Sequence, residues 1–153
     1  MEEPANRTAF FVDGFNLYHS VCEAEKDTDE RPLKWLDIAA MCESTLHLIG
    51  KTARFAGVHY FSAYADHLSE QAPDKVQRHK IFVRALTATR RVKVHLGHFR
   101  KRDTFIKELA QLCPESFTLS LKTYLEHQFP ERIRLPSKKY VVMPPSWGTQ
   151  PPA

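Results

Sequence analysis

The sequence predicts an α/β fold: a parallel sheet with flanking helices, followed by a short C-terminal hairpin. Three observations lead there. An apolar run at 8–13 ends in Asp13-Gly14 and passes at once into residues spaced as on a helix. Further strand-like runs at 54–63 and 91–98 alternate with helical patterns, an order that right-handed crossovers turn into parallel strands. Beyond Pro114 the pattern changes, and two short β runs flank Pro136-Ser-Lys-Lys139.

The elements follow in order. Thr8-Ala-Phe-Phe-Val-Asp13 reads as a buried strand. Leu17, Val21 and Ala24 then recur at i, i+4 and i+7, which predicts a helix over 15–26. Asp37 stands before Ile38, Met41, Cys42, Thr45 and Leu46, with Gly50 just past them, so a single helix is predicted over 37–49 with Asp37 as its N-cap. In 54–63 both alternating sets, Val58-Tyr60-Ser62 and His59-Phe61-Ala63, are largely apolar, which predicts a strand covered on both faces. Asp74 is expected to cap a helix over 74–89 that carries Val76, Ile81, Phe82 and Leu86. A strand at 91–98, a helix at 104–112 and a helical stretch within 117–129 complete the order before the hairpin. The tail 144–153 holds four prolines in ten residues and reads as extended or disordered.

Bulk properties narrow the class. A chain of 153 residues, 42% apolar and 26% charged, suits one globular domain. The expected organisation is a domain at 1–112, an extension with helix and hairpin at 113–143, and a Pro-rich tail at 144–153. No apolar run approaches the length that spans a membrane. The opening Met1-Glu-Glu-Pro4 lacks the basic-then-apolar order of a secretory signal. Cys22, Cys42 and Cys113 are odd in number and unpaired by spacing, so a reducing, cytoplasmic setting with buried thiols is expected.

The net charge of +4 conceals an asymmetry. Residues 1–74 carry 6 Lys/Arg against 13 Asp/Glu, whereas 75–107 carry 11 against Asp103 alone. Such a block suits phosphates, although a solvated helix face gives the same composition. Arg78, Arg84, Arg100, Lys101 and Arg102 are the candidate contacts to phosphates, and the last three follow directly on a predicted strand.

Asp13 is the first candidate for chemistry, because a carboxylate at the carboxyl end of a parallel strand lies where open α/β sheets place their ligands. Asp66, after the second predicted strand, lies at the same sheet edge and is a candidate metal ligand, although loop acids are usually just solvated. Tyr18, Tyr60, Phe61 and Tyr64 could stack on bases, Tyr18 and Tyr64 lying near strand ends, whereas core packing better explains Phe61. His95 and His98 point to opposite faces of a strand, and His59 and His67 have no partner at a ligand spacing. Gly-rich phosphate loops and a nucleophile elbow are absent from the sequence.

Phe11-Val-Asp13-Gly-Phe-Asn16-Leu-Tyr18-His19 closely resembles the opening motif of NYN domains, a PIN-like family of metal-dependent ribonucleases. The resemblance implies that Asp13 ends the central first strand and binds Mg²⁺ or Mn²⁺, with Asn16 supporting the site. It covers about 1–102 and, more weakly, 106–147. The family's later acidic motifs are missing, and no Asp follows Asp103. The chain is therefore expected to be an internally shortened member with weak or absent cleavage of RNA. The competing expectation is a non-catalytic module, binding RNA (single-stranded) or a protein partner through the basic 75–102 segment. Loss of the later strands would leave the first strand as an exposed, apolar edge, open to pairing with another copy unless the hairpin covers it.

Overall fold

The computed structural model describes residues 6–28, 32–66, 70–97 and 119–147. β1 (Asn6–Asp13) leads into α1 (Gly14–Lys26), then α2 (Ile38–Ser44) and α3 (Leu46–Ile49). β2 (Ala53–Ala63), α4 (Pro73–Ala88) and β3 (Val92–Gly97) follow. α5 (Leu121–Glu126), the strands β4 (Arg132–Arg134) and β5 (Tyr140–Val142), and a 3-10 turn (Pro145–Trp147) complete the described chain.

The first three strands form a parallel sheet in the order β1-β2-β3. Val12 lies beside Tyr60 and Tyr60 beside Val94, so these side chains share one face. Both crossovers step in the same direction, and right-handed connections then bring their helices onto that same face. Burial agrees. Val58, Tyr60 and Val92 are buried, and Phe10, Val12 and Val94 pack against the same core. A register shift between Thr8 and Ala9 leaves Ala56 as an extra residue in β2, and Gly57 beside it adopts φ +131°, which L side chains rarely take.

Trp35, Leu33, Leu36, Ile38, Leu86 and Val58 are the largest fully buried side chains. Each aliphatic one contributes about 1.5–3 kcal/mol by leaving water. The Trp35 ring lies 5.6 Å from Phe129, 6.1 Å from Trp147 and 6.2 Å from Phe82. Its indole N–H donates to the Pro130 carbonyl at 2.9 Å, and the Phe129 N–H donates to the Trp35 carbonyl at 2.8 Å. The C-terminal segment thus shares one core with the residues ahead of α2. The hairpin itself pairs antiparallel, Ile133 opposite Val141, as the sequence predicts.

Several expectations are corrected. The helix predicted over 37–49 is broken at Thr45, whose hydroxyl donates to the Cys42 carbonyl at 2.7 Å and closes α2 before α3 begins. Asp37 is the N-cap as expected, accepting from Ala40 N. Asp74 is not a cap: Ala72 takes that place, Pro73 opens α4, and Asp74 sits in the first turn, where its charge favours the helix dipole. Residues 145–147 of the tail form a 3-10 turn with Trp147 buried, because its ring fills the space beside Trp35 and Phe82. Phe61 is 43% exposed and Phe11 72% exposed, so β2 is not covered on both faces. The helix expected at 104–112 lies outside the described residues. The hairpin packs on α4, and among the described residues β1 pairs only with β2. No helix among them is long and apolar enough to cross a membrane.

Candidate functional site

The site is built where β1 turns into α1. Asp13 keeps extended backbone geometry (φ −78°, ψ 112°), and its side chain caps the helix. Oδ1 accepts from Phe15 N at 2.9 Å and Asn16 N at 3.2 Å, and Oδ2 accepts from the Asn16 side-chain amide at 3.1 Å. Asp13 and Asn16 are therefore joined, as their spacing suggests. Gly14 follows because a Cβ there would stand 2.4 Å from the Tyr60 hydroxyl. That close approach lets α1 lie down on β2.

Beside this turn, on the helix-covered side, opens a cavity of about 340 Å³. Leu17, Tyr18, Phe82 and Trp147 supply apolar wall. Lys34, Lys75, Arg78, His79, Ser62 and Ser146 supply polar groups, and none of the described residues lining it is Asp or Glu. Lys34 is ion-paired with Glu25. Arg78 donates to Ser146 Oγ at 3.3 Å. His79 Nε2 lies 3.3 Å from Ser62 Oγ, and burial lowers its pKa, which keeps the imidazole neutral at pH 7. Burial, then a hydrogen bond with Cys22, raises the Tyr18 phenol above its ordinary range. Nearly half exposed, the ring can both line the cavity and meet a ligand at its mouth.

The remaining candidates divide. Asp66 is exposed and forms an ion pair with Lys80 at 3.4 Å. Arg84 is exposed on α4 and does not line the cavity. Arg100, Lys101 and Arg102 lie outside the described residues. Tyr64 stands edge-on to His79 at 5.3 Å and under the Lys80 ammonium. The sequence reading passed over His79 and Trp147. Lys75, Arg78, His79 and Phe82 stand at i, i+3, i+4 and i+7, a single helix face that periodicity could have found. Trp147 carried no such signal, since only tertiary packing brings it there.

Among the described residues no group of three or more His, Cys, Asp or Glu could hold a metal ion. Mg²⁺ and Mn²⁺ favour oxygen donors, carboxylates above all. Asp13 already accepts three hydrogen bonds, which use most of its lone-pair directions. The described residues do not assemble a cluster of three or more such donors for these ions. Compared with family models, curated proteins and solved structures, the chain matches none.

Proposed function

We propose that this chain is a PIN-like domain of the NYN type that binds single-stranded RNA at the carboxyl edge of its sheet and cleaves it weakly or not at all. The observation that carries the reading is the cavity lining. A ligand-sized space at the carboxyl edge offers apolar and aromatic wall, cationic Lys75 and Arg78, and no carboxylate among its described lining residues. Such a space suits one nucleotide: a base against Tyr18 and Phe82, with its phosphate towards Lys75 and Arg78. The strand, turn and helix at 6–26 have the form that the Phe11–His19 motif calls for, which supports the family reading. Asp13 serves as helix cap, and among the described residues no group of three or more His, Cys, Asp or Glu gathers to hold a metal, which supports weak cleavage. Free thiols at Cys22 and Cys42 suit a reducing, cytoplasmic setting. The outer edge of β1, which pairs with no other strand among the described residues, suits association with a second copy.

The test is a titration of a fluorescent single-stranded oligoribonucleotide with the full chain and with Arg78→Gln, at several salt concentrations. The expected result is salt-sensitive binding that Arg78→Gln weakens about tenfold, with a salt slope shallower by about one. Wild-type protein that leaves the RNA free, or a variant with unchanged affinity and slope, would overturn the reading.

A further inference from the structure

The face of the sheet opposite the helices carries its own pattern. Register places Arg7 beside Arg54, then Phe11, His59 and Lys93 in one row, then Asp13, Phe61 and His95 in the next. Four rings form a continuous layer there. Phe11 and His59 have centroids 5.0 Å apart and planes within 14°, and Phe61 and His95 are 4.6 Å apart within 10°. Phe11 and Phe61 lie 6.2 Å apart within 15°. His59 Nδ1 and His95 Nε2 approach to 3.0 Å while the ring centroids stay 5.2 Å apart, so the two imidazoles meet edge to edge in nearly one plane. That contact is an N–H···N hydrogen bond, which fixes both rings.

A layer of this kind in water needs a reason, because large apolar rings are normally buried. Phe11 is 72% exposed, and among the described residues its ring contacts come from β2; beyond β1 no described strand follows. Among the described strand residues, the charges on this face are Arg7, Arg54 and Lys93, opposed by one carboxylate, Asp13, which is turned into its own helix. A second copy docking face to face would bring these cations against one another. A polyanion with flat, π-rich faces meets both features at once.

We propose that this open face is a stacking platform for unpaired RNA bases, with Phe11 and Phe61 as the stacking rings. The His59–His95 pair holds those rings in place, and Arg7, Arg54 and Lys93 take the phosphates. The ligand class rests on the single-strand reading above, but the surface is separate from the cavity, on the other side of the sheet. Stacking tolerates any base, so the platform adds affinity without sequence preference.

The experiment uses the full chain, the same labelled oligoribonucleotide, and three variants: Phe11→Leu with Phe61→Leu, Phe11→Trp, and Arg78→Gln. Light scattering records the size of each, and thermal melts confirm folding, which is expected because both phenylalanines are exposed. The expected result is at least tenfold weaker binding by the double Leu variant, which keeps apolarity but lacks π faces, and retained binding by Phe11→Trp. Equal binding by wild type and the double Leu variant, with loss in Arg78→Gln, would overturn the platform and leave the cavity reading intact. Loss in the double Leu variant with none in Arg78→Gln would keep the platform and discard the cavity. Wild-type dimers that the Leu variant dissociates, with RNA affinity unchanged, would assign this face to a second copy and overturn the inference.

Discussion

Tyr60 shows how one side chain couples the sheet to the site. Its ring is buried between β2 and the helices, 6.3 Å from Phe82, and its hydroxyl lies where a side chain at Gly14 would begin. Burial pushes the phenol up to about 12 from an ordinary 10.0, the neighbouring Asp13 charge adds to this, and a hydrogen bond with Ser62 opposes it. The folded chain therefore keeps this proton where the unfolded chain releases it. Stability from Tyr60 is complete below pH 10 and is lost as pH rises from 10 to 12. Cys42, pushed by burial from 9.0 to about 12, acts in the same sense over a wider range. Melting temperatures of wild type and Tyr60→Phe at pH 9 and pH 11.5 check the point. The wild type should lose about 2 kcal/mol more than the variant across that interval. Parallel losses would show that the phenol ionises freely in the fold.

The turn from β1 into α1 was legible in the sequence because every local cue agrees: a β-rich run, Asp-Gly, then apolar residues at helical spacing. What the sequence left open was the task of the Asp13 carboxylate, which the hydrogen bonds assign to capping. Asp13→Ala should cost about 1 kcal/mol in urea unfolding, while Asp13→Asn, which can still accept from the helix N–H groups, should cost less than half of that. Mn²⁺ added to the wild type should leave its melt unmoved; a metal-dependent rise that Asp13→Asn abolishes would restore a cation site, since a ligand bound only by the native state stabilises it. The same reasoning explains the error at Asp74. Pro73 and Ala72 precede it, and Pro is favoured at the first helical position, so the cap moves one step upstream. Periodicity likewise ran through Thr45, where a side-chain hydroxyl competing for a backbone carbonyl breaks the helix.

The chain closes on itself through its last described residues. Residues 35–37 and 127–129 exchange backbone hydrogen bonds, and Trp147 packs against Trp35 and Phe82. The extension beyond the sheet is thus part of the same core as the helices. Trp147→Ala should destabilise the whole molecule by about 3–5 kcal/mol, the usual cost of emptying a large aromatic site, and open the wall of the cavity. Denaturant unfolding followed by far-UV dichroism would measure this. A change under 1 kcal/mol would mean that the C-terminal turn is a loosely held flap.

The sequence by itself determined the alternation of strands and helices, the parallel sheet they make, the hairpin and the cap at Asp37, because local propensity and periodicity specify each of these within a few residues. It also marked Asp13 and Asn16 as neighbours, since the turn joining them is local. Only the tertiary structure decided which side of the sheet the helices cover, and so which rings are left in water. Phe11 and Phe61 read as core because their strands are apolar throughout, yet both crossovers lie on the other face. The His59–His95 contact and the approach of Trp147 to Arg78's cavity join residues dozens of positions apart. No pattern within a short window encodes such encounters; strand register and the filling of a shared core do.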